Sequence, residues 1–176
     1  MSKYRRRLIK GATYFFTLTL ADRKSNLLVE EIDRLRKAYA TVNRRYPFQT
    51  IAICVLPDHL HAIWTLPPDK QDYSLRWQLI KRNFSTGLPA SSTRSQSKER
   101  KREKGIWQRR FWEHQIRDEL DLQRCVDYVH YNPVKHGLVM QVKDWPFSSF
   151  HRYVLAGGLP EDWGGEKMKL EGEFGE

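Results

Sequence analysis

Cysteine, acidic residues and long apolar runs are all scarce in this chain. Cys54 and Cys125 are the only cysteines among 176 residues, which excludes a disulfide framework and a cysteine-based zinc site. Both lie within apolar patterns and are expected to be small core residues. No apolar run approaches the length of a membrane span, and no apolar stretch of signal length follows the basic N-terminus. We therefore expect a cytoplasmic protein.

The shortage of acidic residues leaves a strong positive charge. The chain has 31 Lys and Arg against 21 Asp and Glu, a formal net charge of +10 and a pI near 9.7. Such an excess suits a polyanion, and nucleic acid is the usual one. Aromatic residues are plentiful, with 6 Trp, 8 Tyr and 8 Phe. Aromatic rings among cations suit single-stranded nucleic acid, because bases stack on the rings and phosphates pair with the cations.

The hydrophobic periodicity predicts an α+β fold. Apolar patterns predict strands over 13–20, 48–56 and 59–66, and a shorter strand over 110–117. Helical spacing predicts helices over 27–45, 73–84 and 118–129, with Asp118 capping the last. The order βαββαβ, followed by a helix, predicts a ferredoxin-like antiparallel sheet with an added C-terminal helix.

One domain is expected over residues 1–155, with a C-terminal tail over 156–176. A segment at about 86–105 interrupts the pattern of strands and helices. Its central part, 91–104, is basic and has no apolar periodicity, so we expect a flexible insert there. Such an insert either lies along a phosphate backbone or serves as a solvated spacer.

A His-x-His pair, His59 and His61, is the most informative feature of the chain. Because side chains alternate along a strand, residues two apart lie on the same face. Two imidazoles on one face can share a divalent metal, each using one ring nitrogen. An isolated pair is equally compatible with ordinary surface or core histidines. The pair therefore becomes informative through what lies downstream.

A candidate nucleophile, Tyr128, lies near the C-terminal end of the last predicted helix. A phenol is a poor nucleophile at its ordinary pKa of about 10. It can attack a phosphodiester when it is aligned and a metal assists. Tyr131 lies near the same helix end, and spacing alone does not separate the two. Most tyrosines at such positions are structural.

A metal site needs a third ligand, and Asn132 is the candidate. If the helix continues past residue 129, Asn132 lies one turn after Tyr128, on the same face. The alternative is that Asn132 is the N-cap of a new helix that begins at Pro133 and ends at Gly137. The two roles compete because they use the same amide oxygen. Further histidines are available, each of which is more often structural: His114, His130 and His136.

Residues 107–114, WQRRFWEH, interleave aromatic and cationic side chains. We expect some to contact DNA by stacking and by pairing with phosphates, and others to pack in the core. The candidates for DNA contacts in this block are Trp107, Arg109, Arg110, Phe111, Trp112 and His114. Arg5, Arg6 and Arg7 near the N-terminus, and Lys135 after the tyrosine, complete the predicted DNA-binding set.

Several motifs, in order along most of the chain, resemble the REP-associated tyrosine transposases, a domesticated bacterial branch of the single-tyrosine HUH transposases. They are YRR at 4–6, GATYFFT at 11–17, LPDHLHAIWTLP at 56–67, WQ and RFWEH between 107 and 114, DYV and YNPVKHG between 127 and 137, and DWPFSS at 144–149. The insert at 91–104 is the main departure from the pattern of that family, and it leaves the nearby path of the DNA open.

The resemblance implies a function and a mechanism. His59 and His61 would hold Mg²⁺ or Mn²⁺ against a scissile phosphate, and Tyr128, at the family's nucleophile position, would form a 5′-phosphotyrosine link. The substrate would be a single-stranded hairpin of a repetitive extragenic palindrome (REP), in a bacterial, nucleoid-associated setting. Related insertion-sequence enzymes are dimers that exchange the tyrosine helix. We expect a monomer here, because the extra C-terminal segment would cover that surface.

Two other function classes remain as alternatives. A non-catalytic hairpin-binding protein would use the same sheet and basic surface, but would not need two histidines and a tyrosine. A metal-dependent hydrolase would activate water instead. The ligand run of metallo-β-lactamases requires an Asp and a further His soon after His61, where this chain has Ala62, Ile63 and Trp64. Both alternatives are therefore disfavoured.

Overall fold

The structure, a computed structural model, describes residues 8–92 and 94–164 and is built on one sheet of four strands. The strands are β1 Thr13–Thr19, β2 Gln49–Val55, β3 His59–Thr65 and β4 Trp112–Gln115. Their spatial order is β2-β3-β1-β4, and every neighbouring pair is antiparallel. This is the order and direction of a ferredoxin-like sheet, so the predicted α+β fold is confirmed.

Within the part of the chain that the structure describes, six helices and one short 3-10 turn connect and cover the strands. The helices are α1 Leu27–Glu30, α2 Ile32–Arg45, α3 Tyr73–Ser85, α4 Gln96–Arg100, α5 Glu119–Lys135 and α6 Phe150–Leu155, and the 3-10 turn is Val142–Asp144. The helix predicted over 27–45 is interrupted at Glu31, where φ is −107° and ψ is 32°. Helix α4 lies inside the segment predicted as a flexible insert, which the sequence pattern did not indicate. None of the helices among the described residues is long and apolar enough to span a membrane.

The larger core lies between the sheet and helices α2 and α3. Trp64 of β3 is its centre, because its ring stacks on Trp77 at 3.8 Å and on Phe48 at 3.9 Å between centroids. Phe16 of β1 packs edge-on against both tryptophans. Full burial of side chains of this size stabilises a fold by roughly 1.5–3 kcal/mol each. The even-numbered residues of β1 and β3 therefore anchor α2 and α3.

The opposite face of the sheet carries α5. Phe15 of β1 and Ile63 of β3 pack there against Val126 and Val129 of the helix. Because side chains alternate along each strand, the odd-numbered residues of β1 and β3 all face α5. Both histidines of β3 therefore lie beneath this helix.

The outer edge of β2 is covered by the segment that follows the 3-10 turn. Phe147 accepts a hydrogen bond from the Val55 backbone N–H at 2.8 Å, and the Ser149 backbone N–H donates to Ile53 at 2.8 Å. The indole N–H of Trp145 donates to the Val55 carbonyl at 2.9 Å. An unpaired strand edge invites pairing with another chain, and here the protein's own C-terminal segment occupies it. Trp163, which the sequence analysis placed in the tail, packs beside α5 in the same region.

His130 of α5 joins the helix to this covering segment, and its burial has a consequence for stability. Its Nε2 is 2.9 Å from Ser149 Oγ, and its ring contacts Tyr153 at 4.7 Å. Burial first, and then the charges of Arg152 and His151, lower the pKa of His130 from 6.5 to about 4. The native state thus holds this imidazole neutral over a range in which the unfolded chain protonates it.

We expect the free energy of unfolding to fall as the pH drops from 6.5 towards 4. The unfolded state binds a proton there and the native state does not, so His130 alone removes about 2 kcal/mol between pH 7 and pH 5. Urea unfolding at both pH values measures this loss. His130→Gln keeps a hydrogen-bonding side chain without titrating, and should show a smaller loss. An equal loss in both proteins would contradict the assignment.

Candidate active site

The site is built first by the pairing of β1 with β3. His59 and His61 are both buried, with 2% and 0% of their surfaces exposed, and their ring centroids are 5.0 Å apart. Their cross-strand partners are Thr19 and Thr17, whose side chains share the α5 face. The prediction that both imidazoles project from one face of a strand agrees with this geometry.

Each imidazole is oriented by a hydrogen bond at Nδ1. Asp58 Oδ1 lies 2.7 Å from His59 Nδ1, and Thr17 Oγ1 lies 2.9 Å from His61 Nδ1. Arg23 holds the other oxygen of the Asp58 carboxylate at 2.6 Å. A carboxylate at Nδ1 fixes the tautomer in which Nε2 carries the lone pair. Nε2 is therefore the nitrogen that His59 can present to a metal, and in His61 it is the ring nitrogen that does not contact Thr17.

Tyr128 is the tyrosine that α5 brings to the histidines. Its side chain is 1% exposed, and its ring packs edge-on against His61 at 5.2 Å and against Phe15 at 6.0 Å. Tyr131 instead packs in a separate cluster with Phe150 and the residues around the 3-10 turn. The two rings therefore pack in different clusters, although residues three apart differ by only about 60° around a helix axis. The structure separates the two candidates that spacing left open.

Helix α5 runs on through Asn132 and Pro133 to Lys135, so the alternative of a new helix capped by Asn132 is wrong. Pro133 is tolerated because it removes a single backbone N–H close to the helix end. Gly137, at φ 67°, then ends the helix, as glycine does when a left-handed residue is required. Asn132 is fully buried, one turn after Tyr128. This position places its side chain on the helix face of Tyr128, as the ligand role proposed from the sequence requires.

The donor set suits a divalent ion of intermediate hardness. Two ring nitrogens bound to one ion at about 2.1 Å would hold their ring centroids about 4.5–5.2 Å apart at ordinary coordination angles. The observed separation of His59 and His61 is 5.0 Å. The amide oxygen and the water or phosphate oxygens suit Mg²⁺ or Mn²⁺, whereas the two imidazoles favour softer ions, so Mn²⁺ fits this mixed donor set better than Mg²⁺. These residues therefore fit the metal that the sequence predicts.

His136 was underestimated by the sequence analysis. It follows α5 directly, one turn after Asn132, and its ring centroid is 5.1 Å from that of His59. Thr17 and Asp58 were not predicted at all as site residues. The register of β1 against β3 would have identified Thr17, but two predicted strands do not reveal their register until they are paired.

A second group of possible metal donors lies on the same face of the sheet. The ligand atoms of His114, Asp121 and Cys125 lie within 4.8 Å of one another. The Asp121 carboxylate accepts hydrogen bonds from His114, from the Arg117 backbone and from the Arg117 guanidinium. Although burial raises the pKa of Asp121, the bonds from Arg117 and His114 lower it to about 2. Burial raises the pKa of the Cys125 thiol to about 12, and the Asp121 carboxylate already accepts bonds from Arg117 and His114, so without a metal this group is a hydrogen-bond centre.

The predicted DNA-contact residues divide between the two faces of the sheet. Trp112 and His114 project to the α5 face, with ring planes 16° apart at 5.9 Å, and both are half-buried. Trp107 is buried against Phe84 in the larger core, so its predicted role in stacking on DNA is not supported. Phe111 is half-buried and packs towards that same core.

The predicted cations have different surroundings. Arg109 is exposed and pairs with Glu103 at 3.0 Å, while Arg110 is exposed. Lys135 donates a hydrogen bond to Tyr128 Oη at 2.9 Å. Arg5, Arg6 and Arg7 lie outside the described residues.

Comparison with known proteins relates the whole chain to one group. Residues 2–132 match the family described as "Transposase IS200 like". The chain is 49% identical, over 99% of its length and 100% of the relative, to a Haemophilus influenzae protein provisionally named as a REP-associated tyrosine transposase. It is 48% identical, over 94% of its length and 93% of the relative, to the REP-associated tyrosine transposase of Escherichia coli.

A solved structure extends this similarity to three dimensions. It is a REP-associated tyrosine transposase bound to a REP hairpin, and it has a TM-score of 0.85 and 46% identity to this chain. The alignment covers 100% of this chain and 98% of that one. Fold, length and sequence therefore agree along the whole chain.

Proposed function

The chain belongs to the IS200-like transposase family and is a REP-associated tyrosine transposase, and from this we propose that it cleaves and rejoins single-stranded DNA through Tyr128. The single observation that carries the proposal is the meeting of Tyr128 with His59 and His61 beneath α5, with Tyr128 and His61 ring centroids 5.2 Å apart. A nucleophile beside two potential metal ligands is the arrangement that phosphoryl transfer requires.

The proposed substrate is a hairpin of REP type with a single-stranded flank. A relative of this fold has been solved bound to a REP hairpin. The net charge of +10 suits the phosphate backbone, and the half-buried rings of Trp112 and His114 lie on the same face of the sheet as Tyr128. DNA binding should therefore weaken steeply with added salt.

The proposed chemistry balances without a nucleotide cofactor. Tyr128 Oη bonds to the scissile phosphorus, the bond from phosphorus to the 3′-oxygen breaks, and a 5′-phosphotyrosine remains. The phenol loses one proton and the 3′-oxygen gains one. Attack by a 3′-hydroxyl on the phosphotyrosine reverses the step and rejoins strands, as strand transfer requires.

His59, His61 and Asn132 are the proposed ligands of Mg²⁺ or Mn²⁺. When bound, the ion would supply Lewis-acid polarisation of a non-bridging phosphate oxygen. Asp58 and Thr17 would keep the two imidazoles oriented, which limits the reorganisation needed when the ion and the phosphate enter. Burial of all three proposed ligands, each no more than 2% exposed, would limit the number of water molecules around the ion.

A monomer remains our proposal for the active species. It is supported by the C-terminal segment, whose Ser148 pairs with Cys54 on the edge of β2. Light scattering of the protein alone and with hairpin DNA would test it, and a dimer under both conditions would contradict it.

The test of the proposed function uses hairpins of REP type with a labelled strand, incubated with the protein and Mn²⁺ and separated by denaturing electrophoresis. We expect the label to move to the size of the protein, and the adduct to disappear when EDTA replaces Mn²⁺. Cleavage without an adduct would identify water as the nucleophile. Tight binding with neither cleavage nor adduct would identify a hairpin-binding protein.

A further inference from the structure

Lys135 contacts the reacting atom of the proposed nucleophile. Its ammonium Nζ donates a hydrogen bond to Tyr128 Oη at 2.9 Å and lies 4.7 Å from the centroid of the phenol ring. The two residues are seven apart in α5, two helical turns, so the helix itself brings them to one face. The sequence analysis considered Lys135 only as a contact for DNA.

A cation at this place acts on charge that the reaction creates. When the phosphotyrosine bond breaks during rejoining, its electron pair returns to the phenol oxygen, which becomes the leaving group. A hydrogen bond from an ammonium to an anionic oxygen is about twice as strong as one between neutral groups. Tyr128 is 1% exposed and Lys135 is exposed, so the hydrogen bond lies where the buried phenol oxygen meets solvent, and water screens it in part.

We propose that Lys135 is a catalytic residue that aims the Tyr128 oxygen and stabilises the negative charge on it as the bond to phosphorus forms and breaks. This inference rests on the proposed function, because it requires Tyr128 to be the nucleophile. Lys135 loses no proton in the step: the phenol proton of the cleavage reaction leaves to solvent, and solvent returns one after rejoining. The electron pair of the breaking bond goes to Oη, and the hydrogen bond from the ammonium stabilises the resulting negative charge.

Two simpler roles make different predictions. Lys135 is the last residue of α5, where a positive charge interacts favourably with the negative end of the helix dipole. If this were its whole role, its loss would lower only the melting temperature. As a phosphate contact, it would contribute to hairpin affinity and to the salt dependence of binding, but not to the rate once the protein is saturated with DNA. The proposed role alone requires a slower chemical step at saturation.

The experiment measures single-turnover adduct formation at saturating hairpin with Mn²⁺, and separately the resealing of isolated adduct by an oligonucleotide with a 3′-hydroxyl. Lys135→Gln should lower both rate constants about 10²-fold, as the loss of one donor to a developing oxyanion does. Lys135→Arg, which keeps the charge, should recover most of the rate. Lys37→Gln is the matched control, because this substitution removes the same charge from an exposed residue of α2, on the other side of the sheet.

The outcomes separate this inference from the proposed function. If the wild-type protein forms no adduct, the proposed function fails and this inference with it. If the wild type is active and the Lys135→Gln protein keeps its rates at saturation, only the inference about Lys135 fails. This holds whether or not its affinity for DNA or its melting temperature has changed. Slow Lys135→Gln, active Lys135→Arg and unaffected Lys37→Gln together would establish it.

Discussion

Replacing Tyr128 by Phe should eliminate the covalent adduct with DNA while leaving hairpin binding within about twofold of wild type. The change removes only the phenol oxygen, and nucleophiles of this kind contribute about 10⁴-fold or more to the rate. The ring contacts with His61 and Phe15 persist in phenylalanine. The lost hydrogen bond to the Lys135 ammonium costs about 1–3 kcal/mol of stability, which is less than the whole free energy of folding of a domain, so the variant should fold.

Tyr131→Phe is the matched control for this experiment. It removes a phenol oxygen from the same helix three residues later, but its ring packs with Val142 and Phe150 instead of with the histidines. Adduct formation should therefore be unaffected. A Tyr128→Phe protein that still forms the adduct would exclude Tyr128 as nucleophile, and loss of the adduct in Tyr131→Phe alone would move that role to Tyr131.

The fold was largely predictable because its signals are local. Alternation in β1 and helical spacing in α3 and α5 each depend on one segment of sequence, and the order of elements then restricts the topology to few arrangements. The helix break at Glu31 and the short helix α4 were not predictable in this way. The sequences around them contain no proline or glycine stop at 31 and no apolar stripe at 96–100.

The site was predictable where one segment defines it, and not where segments meet. His59 and His61 share one strand, so alternation alone placed them together. Thr17 comes from another strand, and only the register of β1 against β3 brings it to His61. Asn132 illustrates a different difficulty. The Asn-Pro pair is typical of a helix start, and the packing of α5 on the sheet favours continuation instead.

In the aromatic block at 107–114, strand pairing determines which face of the sheet each side chain occupies. Within β4, Trp112 and His114 alternate with Glu113 and so face α5, whereas Phe111 packs towards the larger core. Trp107 is fixed outside the strand by a bridge to Leu20. The sequence alone could state that these aromatic side chains divide between the core and DNA contacts. It could not assign individual residues to either face, because that requires knowing at which residue the four-residue strand β4 begins.

Removing one imidazole from the proposed metal site should abolish metal-dependent cleavage. His59→Ala or His61→Ala removes one of two nitrogen donors, and an amide oxygen with a single imidazole binds Mn²⁺ weakly. We expect adduct formation at about 1 mM Mn²⁺, the upper end of the range in which weak ion sites fill, to fall about 10³-fold or more. Mn²⁺ titration followed by electron paramagnetic resonance measures the loss of affinity without depending on activity.

Asp58→Asn distinguishes a metal site from a general effect of cavities near Tyr128. It keeps the size of the side chain and removes the charge that orients His59 through Nδ1. Partners of this kind change metal affinity by about 10–100-fold, so Asp58→Asn should bind Mn²⁺ less tightly than wild type and recover activity when Mn²⁺ is raised. His59→Ala should not recover. Equal Mn²⁺ affinity in wild type, Asp58→Asn and His59→Ala would exclude His59 as a ligand, because the orientation of an imidazole matters to a metal only if that imidazole binds it.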